Sequence, residues 1–249
     1  MTMEIVIGAV AIVVIAAVVF AAVKAASGVT HLGDAERVAK AAGFPRLTAV
    51  AAPGQTVFAG DSITENYKVG EFYADYTART GQLIYNRGIG GDTSGELLAR
   101  WDDVLALRPS RLVLLIGTND LARGIAPEVV AGNVRDMVVR ARAAAPDAVI
   151  VLQAVYPINP GLTSGIGRLV LKGRKNPETI AALNDLLRRV AQDHDVRWLD
   201  LTPDLADATG ALNPAYSYDG LHLNTAGYEV VTPRVLPLLE PEPAKGSQR

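Results

Sequence analysis

Two stretches constrain this chain more than any others: Leu112-Val113-Leu114-Leu115-Ile116 and Val149-Ile150-Val151-Leu152. A strand with one wet face alternates apolar and polar residues. An unbroken run of Val, Ile and Leu instead suits a strand covered on both faces. Further strands are expected at Thr56–Ala59, Leu83–Asn86 and Arg197–Leu199, and the second apolar run extends over Ala148–Ala154. Between them the pattern predicts helices over Val69–Thr80, Ser94–Leu107, Pro127–Ala145 and Pro177–His194, with a last one from Thr225 towards Leu239. Pro127 and Pro177 suit the first turn of a helix, where a missing N–H costs little. This alternation argues for a parallel, doubly wound sheet with helices on both faces, in one domain over residues 54–240.

The flanks read differently. From Ile5 to Val23 every residue is apolar or glycine. As a helix this run spans roughly 28 Å, close to the hydrocarbon thickness of a bilayer. The expectation is one N-terminal transmembrane helix within residues 1–25, then a connector over 26–53, and a flexible tail over 241–249. In the connector, Asp34 to Ala42 has helical composition and Phe44-Pro45 is expected to end it. A cleaved secretory signal is the alternative. The run is long for one and no Lys or Arg precedes it, although Val23-Lys24-Ala25 offers a small-residue cleavage site. Lys24, Arg37, Lys40 and Arg46 all follow the span. Their charge favours a single-pass protein of the cell membrane with its main domain on the cytoplasmic side, whereas a signal-like reading puts that domain on the opposite face.

Composition removes several function classes. A net charge of -2 with 20% charged residues gives no basic face for nucleic acid. With no cysteine, disulfides and thiolate metal sites are excluded. Three histidines leave little scope for a histidine-rich metal centre. His194, beside a helix C-terminus, and His31, in the connector, read as structural or incidental.

The chemistry concentrates at strand ends. Val57-Phe58-Ala59 runs into Gly60-Asp61-Ser62, so a buried strand delivers Ser62 to a tight turn where open α/β sheets place their ligands. A serine hydroxyl needs a base. Asp219-Gly220-Leu221-His222 supplies His222, with a carboxylate three residues earlier able to reach its far ring nitrogen. Two loops follow the second and third strands: Asn86-Arg87-Gly88-Ile89-Gly90-Gly91-Asp92-Thr93 and Gly117-Thr118-Asn119-Asp120. Backbone N–H groups of the first and the Asn119 amide of the second can meet a developing oxyanion. Asp61 and Asp120 read as braces of their turns. Tyr156 to Asn176 is a long excursion carrying Leu169-Val170-Leu171 among Arg168, Lys172, Arg174 and Lys175, and reads as a lid facing substrate or membrane.

In these four ordered blocks, over about Thr56 to Leu239, the chain resembles the SGNH (GDSL) hydrolases. The resemblance implies a flavodoxin-like three-layer α/β/α sandwich on a mainly five-stranded parallel sheet, and ester or thioester hydrolysis with no metal and no cofactor. Carried over block by block, it makes Ser62 the nucleophile, His222 the base and Asp219 its orienting acid. The oxyanion hole would be the N–H of Ser62, the N–H of Gly91 and the side chain of Asn119. The glycine-rich loop looks closest to the bacterial lysophospholipase/thioesterase and platelet-activating-factor acetylhydrolase-like branches, although Gly90 stands where those often carry serine. The partner is then a small-molecule or lipid ester, with the membrane reached through the N-terminal helix. A carbohydrate O-acetylesterase would use the same blocks. A non-catalytic binding module is the rival from another class, but no Gly-Lys-Ser/Thr follows the glycine-rich loop.

Overall fold

Along the central strands of the computed structural model, successive side chains enter two different cores. Val57, Leu112, Leu114, Ile150 and Leu152 point into one, with Trp101, Val134, Met137 and Leu183. Phe58, Val113, Leu115 and Val151 point into the other, with Tyr73, Leu201, Tyr228 and Val235. Both faces of these strands are therefore dry, which is why the sequence shows unbroken apolar runs in place of alternation. The structure describes residues 35–163 and 176–240.

Five strands form one sheet: β1 (Thr56–Gly60), β2 (Ile84–Gly88), β3 (Arg111–Leu115), β4 (Val149–Gln153) and β5 (Arg197–Leu199). Every pairing is parallel, and the order is β2-β1-β3-β4-β5. The chain steps outward from β1 to β2, then returns to β3 on the far side of β1. Its winding reverses between β1 and β3, so the connections leaving these two strands diverge and open a crevice at their C-terminal ends. The three-layer sandwich with a five-stranded parallel sheet is thus as expected.

One part of the expected fold is corrected. A transmembrane helix does not belong to the described architecture: Ile5–Val23 lies outside the described residues, and among those residues no helix is long and apolar enough to cross a membrane. The Arg168–Lys175 part of the expected lid and the tail over 241–249 also lie outside them.

Several helix boundaries differ for visible reasons. The chain divides after Ala42 into two units, and the sheet lies wholly in the second. The described part of the first unit is helical and carries a Glu36–Lys40 ion pair of 2.7 Å, one turn apart. In the second unit, residues 43–50 are helical, through Pro45, where an end was expected. Phe44 is buried, with the guanidinium groups of Arg87 and Arg100 at 5.0 and 5.4 Å from its ring centroid. Cation–π contact of this kind offsets part of the cost of a proline in a helix. The expected Val69–Thr80 helix is two, Val69–Phe72 and Ala74–Thr80, parted at the buried Tyr73. Ser94–Leu107 likewise becomes Ser94–Ala99 and Trp101–Leu105. The break falls at Arg100, whose buried guanidinium donates to Asp92 Oδ2, Gly60 O and Arg87 O. Propensity favours a continuous helix there, but three tertiary hydrogen bonds outweigh it.

Glycine is required where β1 and β2 end. A Cβ on Gly60 would run into the Leu115 carbonyl oxygen and the Thr64 side chain, and one on Gly88 into the backbone of Glu65 and Asp61. Apart from the Thr64 side chain, these obstacles are backbone and cannot swing aside. Gly60→Ala is therefore expected to lower stability by at least about 2 kcal/mol, through overpacking. Urea unfolding against the native chain measures this, with Gly43→Ala, where a Cβ meets open space, as the control.

Candidate active site

Ser62 opens a four-residue helix, Ser62–Glu65, immediately after β1. Asp61 caps it, its Oδ1 accepting from the Ile63 N–H at 2.9 Å. A capping carboxylate satisfies a helix-start donor and fixes the angle at which the chain leaves the strand. From the other side, Tyr228 of the last helix (Thr225–Leu239) donates its hydroxyl proton to the Ile63 carbonyl at 2.6 Å. Tyr228 stacks on Tyr67 at 4.5 Å, and burial pushes the Tyr67 phenol up to about 12, so it stays a neutral donor.

Residues 160 positions apart meet here. Ser62 Oγ lies 2.9 Å from His222 Nε2, and His222 Nδ1 lies 2.6 Å from Asp219 Oδ2. The other Asp219 oxygen accepts from the backbone N–H groups of Leu221 and His222 at 2.9 and 2.8 Å. Partial burial raises the Asp219 carboxyl, but the hydrogen bonds from the His222 ring and from these two amides outweigh it and hold the group below its ordinary value. An ionised carboxylate can only accept, so Nδ1 carries the proton and the Nε2 lone pair faces Ser62.

The loop bearing this pair is held by backbone. Gly220, at φ 84°, accepts from the Asn159 N–H at 2.7 Å, and a Cβ there would run into the Asn159 carbonyl. The Ser217 hydroxyl donates to the His222 carbonyl at 2.7 Å, and the Thr163 hydroxyl to that of Asp219 at 2.7 Å. Exposed Tyr218 stacks on the His222 ring at 5.8 Å.

The glycine-rich loop after β2 is a tight turn. The Asp92 N–H donates to Ile89 O at 3.2 Å, and Gly91 takes φ 81° at the third position, as a type II turn demands. Thr93 and Glu96 then form a capping box on the next helix. Asn119 follows β3, and its Nδ2 donates to Asp92 O at 2.9 Å. An amide nitrogen has two protons, so one such bond leaves it able to donate again. Asp120 is fully buried and accepts from the Ser94 N–H at 2.9 Å and the Ser94 hydroxyl at 2.6 Å, a brace between the loops. Desolvation raises its carboxyl above the ordinary value despite those bonds.

Gly90 has a particular neighbour. A Cβ there would come 2.8 Å from Glu65 Oε2 and 3.7 Å from Ser62 Cβ. The space a serine would fill is taken by the Glu65 carboxylate, which accepts from the Gly90 N–H at 2.7 Å.

Ser62, Asp219 and His222 thus lie in one hydrogen-bonded chain, and the loops of Gly91 and Asn119 are joined at Asp92. His194 sits apart, capping the C-terminus of the Pro177–Asp193 helix. Among the described residues, no group of three or more His, Cys, Asp or Glu could hold a metal ion. A separate cavity of about 200 Å³, lined by Pro157, Ile180 and Arg188 among others, includes none of the five site residues.

A family model described as the GDSL-like lipase/acylhydrolase family matches residues 58–230. The chain belongs to that family. It is a hydrolase acting on ester bonds, and the resemblance carried by its four blocks is borne out. The chain is 29% identical over 159 residues to esterase TesA of Pseudomonas aeruginosa, covering 64% of this chain and 70% of that one. A Streptococcus pneumonia protein provisionally described as a platelet activating factor superposes with a TM-score of 0.76 at 26% identity, over 87% of this chain and 98% of that one. A GDSL-like lipase of Bacteroides thetaiotaomicron gives 0.67 at 26% identity, over 81% and 97%.

Residue-level reading missed Glu65, Arg123, Asn159 and Tyr228. Arg123 had a signal: it stands four residues after Asn119, on the same face of the Thr118–Arg123 helix. The other three act through backbone groups and left none.

Because the Asp219 carboxyl is held below its ordinary value of 3.8, its contribution to stability is complete only at pH well above that value and is lost progressively as pH falls towards and through the folded value. The stability difference between the native chain and Asp219→Asn is therefore expected to shrink as pH is lowered from about 5 to 3. Parallel urea titrations across that range check it.

Proposed function

We propose that the chain is a serine esterase that works through an acyl-Ser62 intermediate, with His222 as base and Asp219 as its orienting acid. The observation that carries this reading is the continuous Ser62–His222–Asp219 chain at 2.9 and 2.6 Å. In this mechanism Ser62 Oγ attacks the acyl carbonyl while Nε2 takes its proton. The ionised Asp219 stabilises the imidazolium that results. Negative charge on the carbonyl oxygen meets the Ser62 N–H, the Gly91 N–H and the second proton of Asn119 Nδ2. His222 then protonates the departing alcohol, and a water repeats the sequence to release the acid and restore Ser62.

The substrate class is a carboxylic ester. Similarity to an esterase, TesA, supports that choice over a non-catalytic binding module.

The reading predicts that a fluorophosphonate probe labels Ser62 in the folded protein and that Ser62→Ala is neither labelled nor active. Labelling of Ser62→Ala at the native rate, or none of the folded native chain, would overturn it. Asn119→Ala is expected to lower kcat on a p-nitrophenyl ester by about a hundredfold or more, the usual cost of one oxyanion donor. Native rates in that variant would remove Asn119 from the hole.

A further inference from the structure

Three separate elements carry the groups assigned above to the oxyanion: the Ser62–Glu65 helix, the Ile89–Asp92 turn and the Thr118–Arg123 helix. Two charged side chains tie them together. Glu65, at the far end of the Ser62 helix, accepts from the Gly90 N–H at 2.7 Å. Arg123, one turn beyond Asn119, donates from Nη2 to the Gly91 carbonyl at 2.8 Å. Its Nη1 lies 3.1 and 3.2 Å from the two Glu96 oxygens, which fixes the guanidinium plane. Glu96 in turn accepts from the Thr93 N–H at 2.8 Å, immediately after that turn. The peptide groups on either side of the Gly90–Gly91 bond are therefore held by different elements, one bearing the nucleophile and the other bearing Asn119.

Two consecutive glycines supply no side-chain packing to hold a loop, so its position must come from hydrogen bonds. We propose that Glu65 and Arg123 are positioning residues that clamp the Gly90–Gly91 segment and thereby set the distances among Ser62, the Gly91 N–H and Asn119. Neither touches the reacting atoms. The proposal rests on the assignment of Gly91 and Asn119 to the oxyanion hole. A loop shift of about 1 Å at such a donor is enough to matter, since misplacement on that scale costs up to about a hundredfold in rate.

The test is steady-state kinetics on a p-nitrophenyl ester with Glu65→Ala, Glu65→Gln, Arg123→Met and Arg123→Lys, each checked for folding by thermal melting. Glu65→Ala and Arg123→Met are expected to lower kcat by about tenfold to a hundredfold while KM stays within about twofold, because the hole matters most in the transition state. Glu65→Gln keeps a side-chain oxygen for the Gly90 N–H, and Arg123→Lys keeps a cationic donor, so each is expected to recover much of that loss. The double variant Glu65→Ala/Arg123→Met is expected to lose less than the product of the two single losses, since both ties hold one segment.

Native kcat in Glu65→Ala and Arg123→Met, a loss confined to KM, or conservative variants as poor as the truncations would each overturn the proposal. Should Glu65→Ala fail to fold, Arg123→Met decides alone, because the Arg123 side chain is 46% exposed and bears little packing. Ser62→Ala separates the two levels. If it retains native activity, the hydrolytic assignment itself is wrong; if it is inactive while the clamp variants are native-like, only the clamp is.

Discussion

The structure turns on a close approach between the end of a strand and the start of a helix. Gly60 and Gly88, paired in register at the ends of β1 and β2, leave no room for a side chain against the first turn after Ser62. That contact brings the Ser62 backbone down to the sheet edge beside β3. With Cβ atoms in the way, the Ser62 helix would stand further off, and the Ile89 N–H could not reach the Gly60 carbonyl at 3.1 Å. The glycines of the first two blocks are thus a steric requirement at the place where the winding of the sheet reverses.

Polar groups buried beneath this edge convert proximity into fixed geometry. Arg100 lies under the crevice and joins three pieces through Asp92, Gly60 O and Arg87 O. Asp120 joins two more through Ser94. Removing one partner of such a buried pair strands the other, at a cost of about 3–5 kcal/mol. A network with this penalty for partial rearrangement resists the small loop shifts that a set of convergent donors cannot tolerate. The aromatic cluster of Phe58, Tyr67, Tyr73 and Tyr228 provides the corresponding support on the opposite face.

How much of this was legible in the sequence follows from the range of the forces involved. The strands showed because burial on two faces leaves an unbroken apolar run. The helices expected over Val69–Thr80 and Ser94–Leu107 showed less well, since Tyr73 and Arg100 interrupt them for tertiary partners that no local window contains. Ser62, Gly91 and Asn119 were readable as residues that follow strands, and Asp219 and His222 by their order after them. Asn86 was read only as part of its loop. Its Nδ2 bonds to Thr64 O and Tyr67 O at 2.7 and 3.1 Å, stitching β2 to the Ser62 helix. Glu65 and Asn159 contact mainly backbone, and a backbone carbonyl or amide has no sequence signature at all.

The two halves of the site are held by different means, and this bears on how it works. Ser62 sits on the sheet edge, pinned by Asp61, Tyr228 and the glycine contacts, all close to the core. The His222 loop carries Leu223 into the core but is otherwise set by hydrogen bonds from Asn159, Thr163 and Ser217. On the proposed assignment, a nucleophile held against the core and a base on a hydrogen-bonded loop divide the task sensibly. In the proposed mechanism, the carbonyl oxygen must meet donors whose geometry cannot drift, whereas the imidazole has to serve two oxygens in turn, Ser62 Oγ and then the leaving group. Asp219 keeps that ring in one tautomer through either step, because both of its oxygens are committed to the loop that His222 itself belongs to. The proposed orienting acid and base are therefore carried on one loop, so that a displacement of the loop would move the two together.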